Sequence, residues 1–589
     1  MKTIIAICAS VMLLFCSAAL PAQSTYYEPA LRNEFALAYQ QNPGVPSGVL
    51  EAVAFTNTRM TQLTDNDVAS CTGMSKHYTL FGLVEQSEWF RPNLQSISAL
   101  SGISSAQLKS DRQLSIKAFA SAYSVVAAGN NQERNSAAGS IYSVLTALSE
   151  FPLPSATEDA PTRMQKQYVL DVWMYSIFSF LNDERYAGLY GFQVYNINLR
   201  EFFGDDNYAL LSAPAVRITA STISSDQYQY RSNAGVARNA ASTQLLSPDY
   251  GPALWNPAGS CNYSSRNNVA VSAVTIHTVQ GSYAGCISWF QNCNAGVSAH
   301  YVLRSSDGQI TQMVLESNKA WHVGSENPYT IGLEHEGYVS NAAWYTTAMY
   351  QSSAALVKDI CNDYSINPKR TGFWPWLATT YYNQSGIPGG CSRVKGHQHY
   401  PNQTHTDPGV NWNWNYYYQL INSPAPAATV YTTSSGTFYD SGGSSGNYAN
   451  DERLIWTISP ASAANVTVSF TSFNVENTWD YLYVYDGNSI NAPLIGYYTG
   501  TQNPGTITSS GSSLTFEFRS DCATIGAGWN ASWTSSAAGP SADAIAPTTV
   551  VNVAGIWQTG DFQTTFNDSD NVGGSGLEKS FYQVIDYDG

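Results

Sequence analysis

Charged residues are scarce in this sequence. Asp, Glu, Lys and Arg make up 12% of its 589 residues, and 43 acidic residues against 27 basic ones give a formal net charge of −16 at pH 7. No long basic run interrupts this pattern. Because a nucleic-acid partner requires a basic face that neutralises phosphates, the composition argues against one.

Long apolar runs are missing after the first residues. Residues 4–16 are apolar, follow Lys2 and are too short to span a bilayer comfortably, and small residues come next. This pattern is typical of a secretory signal over residues 1–22. A shorter apolar run starting at Val169 contains an aspartate and predicts a buried helix. We therefore expect a secreted protein, extracellular or periplasmic, with no transmembrane segment.

Composition and the spacing of apolar residues change several times along the chain. Residues 23–205 show apolar spacings of three and four, which predict an all-α or mostly α domain. Residues 206–250 are rich in Ser, Ala, Asn and Gln and are interpreted as a linker. Residues 251–424 mix strand and helix patterns, which predicts an α/β domain.

The C-terminal part changes to short alternating runs separated by Gly, Ser and Asn. Residues 429–534 therefore predict an all-β sandwich. A second linker follows at 535–548. Residues 549–589 start another β-like module without an obvious ending, and we expect the natural chain to continue.

Seven cysteines remain once the signal is removed. An exported chain can form disulfides, and we predict the pairs Cys286 with Cys293 and Cys361 with Cys391. An odd number leaves at least one thiol free or paired outside this chain. Zinc coordination is the competing use of a cysteine here.

Histidine is scarce and unevenly placed, since seven of the eight lie between His277 and His405. His277 ends the strand-like run AVSAVTIHTV, and the later segment GHQHYPNQTHTDPG contains His397 and Asp407. Two imidazoles and a carboxylate make a three-ligand zinc site whose fourth position is left for water.

A base is also needed to take a proton from such a water, and the run IGLEHEG offers two glutamates. If this run is a strand, Glu334 and Glu336 point to one face and His335 to the other, where it would be a packing or surface residue. The pattern does not choose between the two glutamates.

These pieces occur together with VSAHYVLRSSDGQITQMV and KAWHVG, in an order that resembles the zinc-dependent N-acetylmuramoyl-L-alanine amidase family, which includes the peptidoglycan-recognition proteins. The resemblance implies a mixed central sheet flanked by helices. It also implies zinc held by His277, His397 and Asp407, with Glu334 as the catalytic glutamate. The expected substrate is bacterial peptidoglycan, cleaved at the amide between N-acetylmuramic acid and L-alanine by zinc-activated water.

Other polar residues have more open roles. His405 occupies the place where many relatives carry a lysine that helps polarise the carbonyl, so it is a second candidate catalytic residue. His300 and His322 are typical of the family and are expected to line the substrate pocket or to be structural. His399 is expected to be solvated. Trp412 and the tryptophan two residues later are interpreted as core, with sugar stacking as the alternative.

The β segment resembles a CUB domain in GTFYDSGGSSGNYANDERLIWTISP, FNVENTWDYLYVYDG and FEFRSDCATIGAGW. The resemblance implies calcium ligands at Glu476, Asp480 and Asp521, with surface acids that hold no ion as the alternative reading. It also implies protein or glycan ligands, so that the module would serve adhesion or targeting.

The helical region resembles lysozyme-like lytic-transglycosylase domains in NPGVPSGVLEAVAFTNTRM and YTLFGLVE. Asn57 stands where those enzymes carry a glutamate, and Glu51 lies one to two turns away. This predicts glycan binding without cleavage; an unrelated helical domain is the alternative. For the whole chain, the rival to an amidase is a non-catalytic peptidoglycan-binding receptor or an adhesin.

Overall fold

The computed structural model divides the chain into two compact units. Among the described residues, the first unit reaches to Ala425 and includes Asp521–Ala523, and the second is formed by the other residues from Pro426 onward. The predicted signal, residues 1–22, lies outside the residues that the structure describes. Among the described residues, no helix is long and apolar enough to cross a membrane. The described residues are 29–87, 89–129, 136–158, 160–212, 217–218, 223–224, 248–251, 253–255, 257–374, 390–400, 404–537, 548–552 and 565–569.

Helices dominate the N-terminal region. Serine side chains cap two of them: Ser104 and Ser136 each accept a backbone N–H of the first turn. The apolar spacings seen in the sequence converge on one core that includes Leu50, Phe119 and Ile177. The helices are α1 (Pro29–Gln41), α2 (Val49–Thr58), α3 (Asn93–Ser101), α4 (Ser105–Ser110), α5 (Arg112–Gly129), α6 (Ala137–Leu148), α7 (Ala160–Asn182), α8 (Glu184–Tyr190), α9 (Leu199–Phe203) and α10 (Asp205–Leu211).

Two details of this region differ from the sequence analysis. Helix α10 carries helical structure into the stretch interpreted as a linker. A small antiparallel pair, β1 (His77–Tyr78) and β2 (Leu83–Val84), interrupts the helices, so the region is mostly rather than entirely α. A second short pair, β3 (Arg217–Ile218) and β4 (Ile223–Ser224), follows α10.

Glu51 in α2 should make the stability of this region depend on pH. It is 4% exposed and accepts a hydrogen bond from the Tyr39 hydroxyl, and burial raises the pKa of Glu51 to about 7. The pKa of Glu51 is higher in the folded state than the unfolded value of about 4.3, so the protonated carboxyl stabilises the folded state. This stabilisation is complete below about pH 4.3 and is lost as pH rises through about 7. We expect the free energy of unfolding of Glu51→Gln to increase by about 3 kcal/mol relative to that of wild type between pH 4 and pH 8.

Calorimetric melting of both proteins at pH 4 and pH 8 measures this gain. Glu184→Gln, at an exposed glutamate of α8, is the control and should melt like wild type at both values. Equal shifts of the Glu51→Gln protein at the two pH values would contradict the assignment.

A mixed six-stranded sheet follows, with the order β12-β7-β11-β8-β9-β5. Strands β12, β7, β11 and β8 run parallel, β9 is antiparallel to β8, and β5 is parallel to β9. The sheet strands are β5 (Leu254–Trp255), β7 (Ala273–Thr278), β8 (Tyr301–Leu303), β9 (Ile310–Gln312), β11 (Thr330–His335) and β12 (Val394–Gly396), while β6 (Tyr263–Ser265) and β10 (Asn318–Ala320) pair separately.

Every residue of β7 and β11 is buried, as expected of parallel strands covered on both faces. The larger apolar side chains of both strands belong to one core, and the neighbouring β8 also contributes to a second. Ile276 and Leu333 pack with α12 (Thr347–Asp363) and α13 (Trp414–Ile421), whereas Val302 of β8 packs in the core that contains α11 (Tyr283–Gln291). Short 3-10 helices connect these elements at Gly324–Tyr329, Ala342–Trp344, Pro368–Arg370 and His397–His399.

The predicted disulfide pairs are wrong. Cys293 is bonded to Cys261, and Cys391 is bonded to Cys522. Cys286 and Cys361 are free and buried, since each faces inward from a helix and packs as a small apolar side chain. The prediction paired cysteines that are close in sequence, whereas the bonded partners are 32 and 131 residues apart.

The second unit contains the predicted β sandwich. Its two sheets have the orders β13-β15-β20-β17-β18 and β14-β21-β16-β19, and Trp456, Val468, Phe516 and Trp529 fill the core between them. The strands are β13 (Thr429–Tyr431), β14 (Ser435–Tyr439), β15 (Arg453–Ile458), β16 (Ala463–Asn474), β17 (Tyr481–Tyr485), β18 (Leu494–Tyr498), β19 (Thr506–Thr508), β20 (Leu514–Arg519) and β21 (Gly528–Ala537), followed by the separate pair β22 (Thr548–Asn552) and β23 (Thr565–Ser569).

Candidate metal centre

The sheet brings the three predicted ligands together. His277 lies near the end of β7, and β12 pairs with β7 so that His397, directly after β12, comes to lie beside it. Asp407 is placed next to them by a backbone hydrogen bond from Gln398 N to Asp407 O, 3.1 Å long. The carboxyl ends of parallel strands are where open α/β sheets place their sites.

The distances and protonation states of these side chains suit a metal. His277 Nδ1 is 2.8 Å from Asp407 Oδ2, and His397 Nδ1 is 3.5 Å from Asp407 Oδ1. Burial lowers the pKa of His277 to about 4. Burial alone would raise the pKa of Asp407, but the neighbouring histidines bring it well below its usual range. A neutral imidazole and an ionised carboxylate are the forms that bind zinc, so the chemistry of the trio fits that ion.

Glu334 lies beside the trio, directly opposite His277 in the β7–β11 register. Its Oε1 is 4.0 Å from His277 Nδ1, and its side chain is fully buried. Oε2 has no hydrogen-bond partner among the described residues. Burial, with a contribution from the charge of Asp407, raises the pKa of Glu334 well above its usual value. This carboxyl is free to exchange a proton with a group at the centre.

The structure separates the two glutamates that the pattern left equivalent. Glu336 accepts hydrogen bonds from the backbone N–H groups of Tyr283 at 2.9 Å and Ser305 at 2.8 Å. Both of its carboxylate oxygens are therefore engaged in holding loops. His335 points the other way, as predicted, and bonds to the Ser353 hydroxyl of α12 at 2.8 Å.

His322 holds His277 from behind. Its Nδ1 is 2.9 Å from His277 Nε2, which leaves His277 Nδ1 directed at the centre. Gly332 makes room for it, because a Cβ there would lie 2.5 Å from His322 Nδ1. Such a second layer orients a metal ligand and sets its tautomer. His300 bonds to Arg266 at 2.7 Å and to the Gly332 N–H at 3.0 Å, outside the trio.

The remaining histidines of the window have different environments. The ring of His405 lies 4.6 Å from that of His397, so the second candidate catalytic residue is adjacent to the trio. The expectation that His399 is solvated is wrong: it is fully buried and its Nδ1 accepts the Gly396 N–H at 2.9 Å. The tight turn after β12 folds it inward. Trp412 packs on His335 in the core, as predicted.

One residue at the centre was not selected from the sequence. Cys71 Sγ lies 3.7 Å from His277 Nδ1 and 3.5 Å from Glu334 Oε1. The nearest signal was the odd number of cysteines, but nothing in the sequence connects residue 71 with a centre that begins 206 positions later. Cys71, His277, His397 and Asp407 offer ligand atoms that all lie within 4.8 Å of one another.

Two predictions outside the centre can also be located. Ligand oxygens of Glu476, Asp480 and Asp521 lie within 4.8 Å of one another, and calcium binding by them stays a prediction. Asn57 donates to Phe81 O at 2.7 Å and accepts from Trp173 Nε1 at 2.7 Å, so its amide joins α2 to the turn between β1 and β2 and to α7.

A mixed sheet that carries two histidines, an aspartate and a neighbouring glutamate at its strand ends is typical of metal-dependent hydrolases. The family description N-acetylmuramoyl-L-alanine amidase matches residues 267–410, and the description CUB domain matches residues 428–533. N-acetylmuramoyl-L-alanine amidase A of Achromobacter lyticus is 48% identical over 175 residues, which are 30% of this chain and 96% of that protein. The chain therefore belongs to the N-acetylmuramoyl-L-alanine amidase family and carries a CUB domain.

Two further likenesses cover parts of the chain. Human cubilin is 28% identical over 138 residues, which are 23% of this chain and 4% of cubilin. The solved structure of the Staphylococcus aureus hydrolase AmiA in complex with its ligand is 20% identical, covers 27% of this chain and 76% of that one, and has a TM-score of 0.21.

Proposed function

We propose that this chain is a zinc-dependent peptidoglycan amidase that hydrolyses the bond between the lactyl group of N-acetylmuramic acid and L-alanine. The observation that carries the proposal is the buried Glu334 carboxyl beside the trio of His277, His397 and Asp407. A pure receptor needs neither a complete ligand set nor a buried carboxyl with a free oxygen. When bound, zinc supplies a Lewis acid and a water that is acidic enough to react at neutral pH.

The residues of the chain then divide the work. His322 keeps His277 Nδ1 directed at the centre. Glu334 accepts a proton from the attacking water at its free Oε2 and then donates it to the nitrogen of the leaving L-alanine. One group thus serves as general base and general acid. We assign to His405 a hydrogen bond to the substrate carbonyl oxygen, because its ring lies next to that of His397.

We further propose that the chain works outside the cytoplasm. Residues 1–22 have the pattern of a secretory signal, and two disulfides indicate an oxidising compartment. The CUB domain would attach the enzyme to protein or glycan ligands, with calcium held by Glu476, Asp480 and Asp521.

The test uses residues 249–425, which include the stretch 267–410 that matches the amidase family, with Cys391 changed to serine because its partner Cys522 is outside this fragment. We expect release of new L-alanine amino termini from purified peptidoglycan, loss of that release with a chelator, and recovery on adding zinc. His397→Ala is the matched variant and should neither retain zinc nor release amino termini. A folded, zinc-loaded fragment that binds peptidoglycan without releasing amino termini would contradict the proposal and favour a receptor.

A further inference from the structure

Cys71 reaches the metal centre from a different region of the chain. It lies in the loop before β1, in the N-terminal helical region, whereas the trio belongs to the mixed sheet. Two ligands at the corners of a tetrahedral zinc site are about 3.5 Å apart. Cys71 Sγ is 3.7 Å from His277 Nδ1 and shares with the trio a cluster no wider than 4.8 Å. The thiol therefore stands where a fourth ligand would.

The loop is anchored on both sides of Cys71. Ser70 Oγ donates to Val279 O at 2.6 Å, and Trp289 Nε1 donates to Thr72 O at 2.7 Å. Gln280 Nε2 also donates to Val68 O at 2.9 Å. Hydrogen bonds at positions 68, 70 and 72 thus fix the backbone that carries the thiol.

Apolar packing adds to these hydrogen bonds. Met74 and Phe90 belong to the same buried core as Ile287 and Phe290 of α11. Trp89 Nε1 donates to Ser288 Oγ of α11 at 2.9 Å. The placement of Cys71 follows from a packed interface within the first unit and not from the loop alone.

We infer that Cys71 is the fourth protein ligand of the metal in the intact chain, so that the N-terminal region closes the centre and keeps the amidase latent. Catalytic zinc sites keep one position open for water, whereas sites with four protein ligands are closed. The thiol also contacts Glu334 Oε1 at 3.5 Å, so it touches both the trio and the proposed base. This inference rests on the proposed function, and hydrolysis requires the loop to leave the centre so that water can replace the sulfur.

The first test reads the ligand set directly. In the full chain with cobalt in place of zinc, a thiolate ligand produces a near-ultraviolet charge-transfer band. We expect this band in wild type, its loss in Cys71→Ser and its persistence in Cys361→Ser, whose buried thiol lies in α12 away from the trio. A cobalt-loaded wild type without the band, or a band that survives in Cys71→Ser, would overturn the inference.

The second test compares peptidoglycan cleavage by full-length proteins. We expect Cys71→Ser to release amino termini at least tenfold faster than wild type, and Cys361→Ser to match wild type. Equal rates for Cys71→Ser and wild type, with both hydrolysing, would overturn latency. The cobalt band remains informative if no variant cleaves peptidoglycan, so failure of the proposed function and failure of the ligand assignment give different results.

Discussion

Glu334→Gln in the 249–425 fragment is expected to lower kcat by about a hundredfold to ten thousandfold, the usual contribution of a general base. Glutamine keeps the volume of a side chain that is fully buried on β11, so the fold should be retained. What is lost is the ability of Oε2 to take a proton. Zinc content should stay near one per chain, because the carboxyl is not one of the three proposed ligands.

Glu336→Gln is the matched control, at the residue that directly follows β11. Its two oxygens accept backbone N–H groups of Tyr283 and Ser305, so an amide leaves one of them unpaired and should cost about 1–3 kcal/mol of stability. We expect a lower melting temperature with kcat nearly unchanged. Steady-state kinetics, metal analysis and calorimetry compare the two variants. Loss of activity in Glu336→Gln but not in Glu334→Gln would identify Glu336 as the base.

Glu517→Ala is expected to destabilise the CUB domain by about 3–5 kcal/mol, which is enough to unfold a small domain at ordinary temperature. Glu517 is fully buried on β20 and accepts hydrogen bonds from Arg453 Nε and Arg519 Nη2, each 2.7 Å long. Burial alone would raise the pKa of Glu517, but the two guanidinium groups keep it below its usual value. Removing the carboxylate leaves two buried cations without their shared counter-charge.

Calorimetry of the full chain measures this loss as an earlier transition of the second unit. Asp486→Asn is the control, because Asp486 is partly exposed and accepts a single hydrogen bond from the Ser510 N–H at 2.9 Å. It should shift melting by less than about 1 kcal/mol. A Glu517→Ala chain that melts like wild type would show that the arginines find other partners.

Much of the architecture was predictable because periodic patterns report local structure. The alternation in IGLEHEG correctly placed Glu334 and His335 on opposite faces of β11. Disulfides failed for the opposite reason. Bonded cysteines are chosen by three-dimensional proximity, and Cys286, seven residues from Cys293, points into a core instead.

By itself the sequence predicted the helical, α/β and all-β regions and offered His277, His397 and Asp407 as candidate metal ligands, because periodic patterns and motif order are local features of the chain. Glu334 was implied as the base by the family resemblance alone. Only the tertiary structure decided which glutamate faces the centre with a free oxygen and which holds loops. It alone showed that His322 is within hydrogen-bonding distance of His277, that His399 is buried, and that Cys71 lies beside the trio. The physical reason is that these contacts depend on how separate elements pack, and packing across 206 residues leaves no periodic trace in the chain.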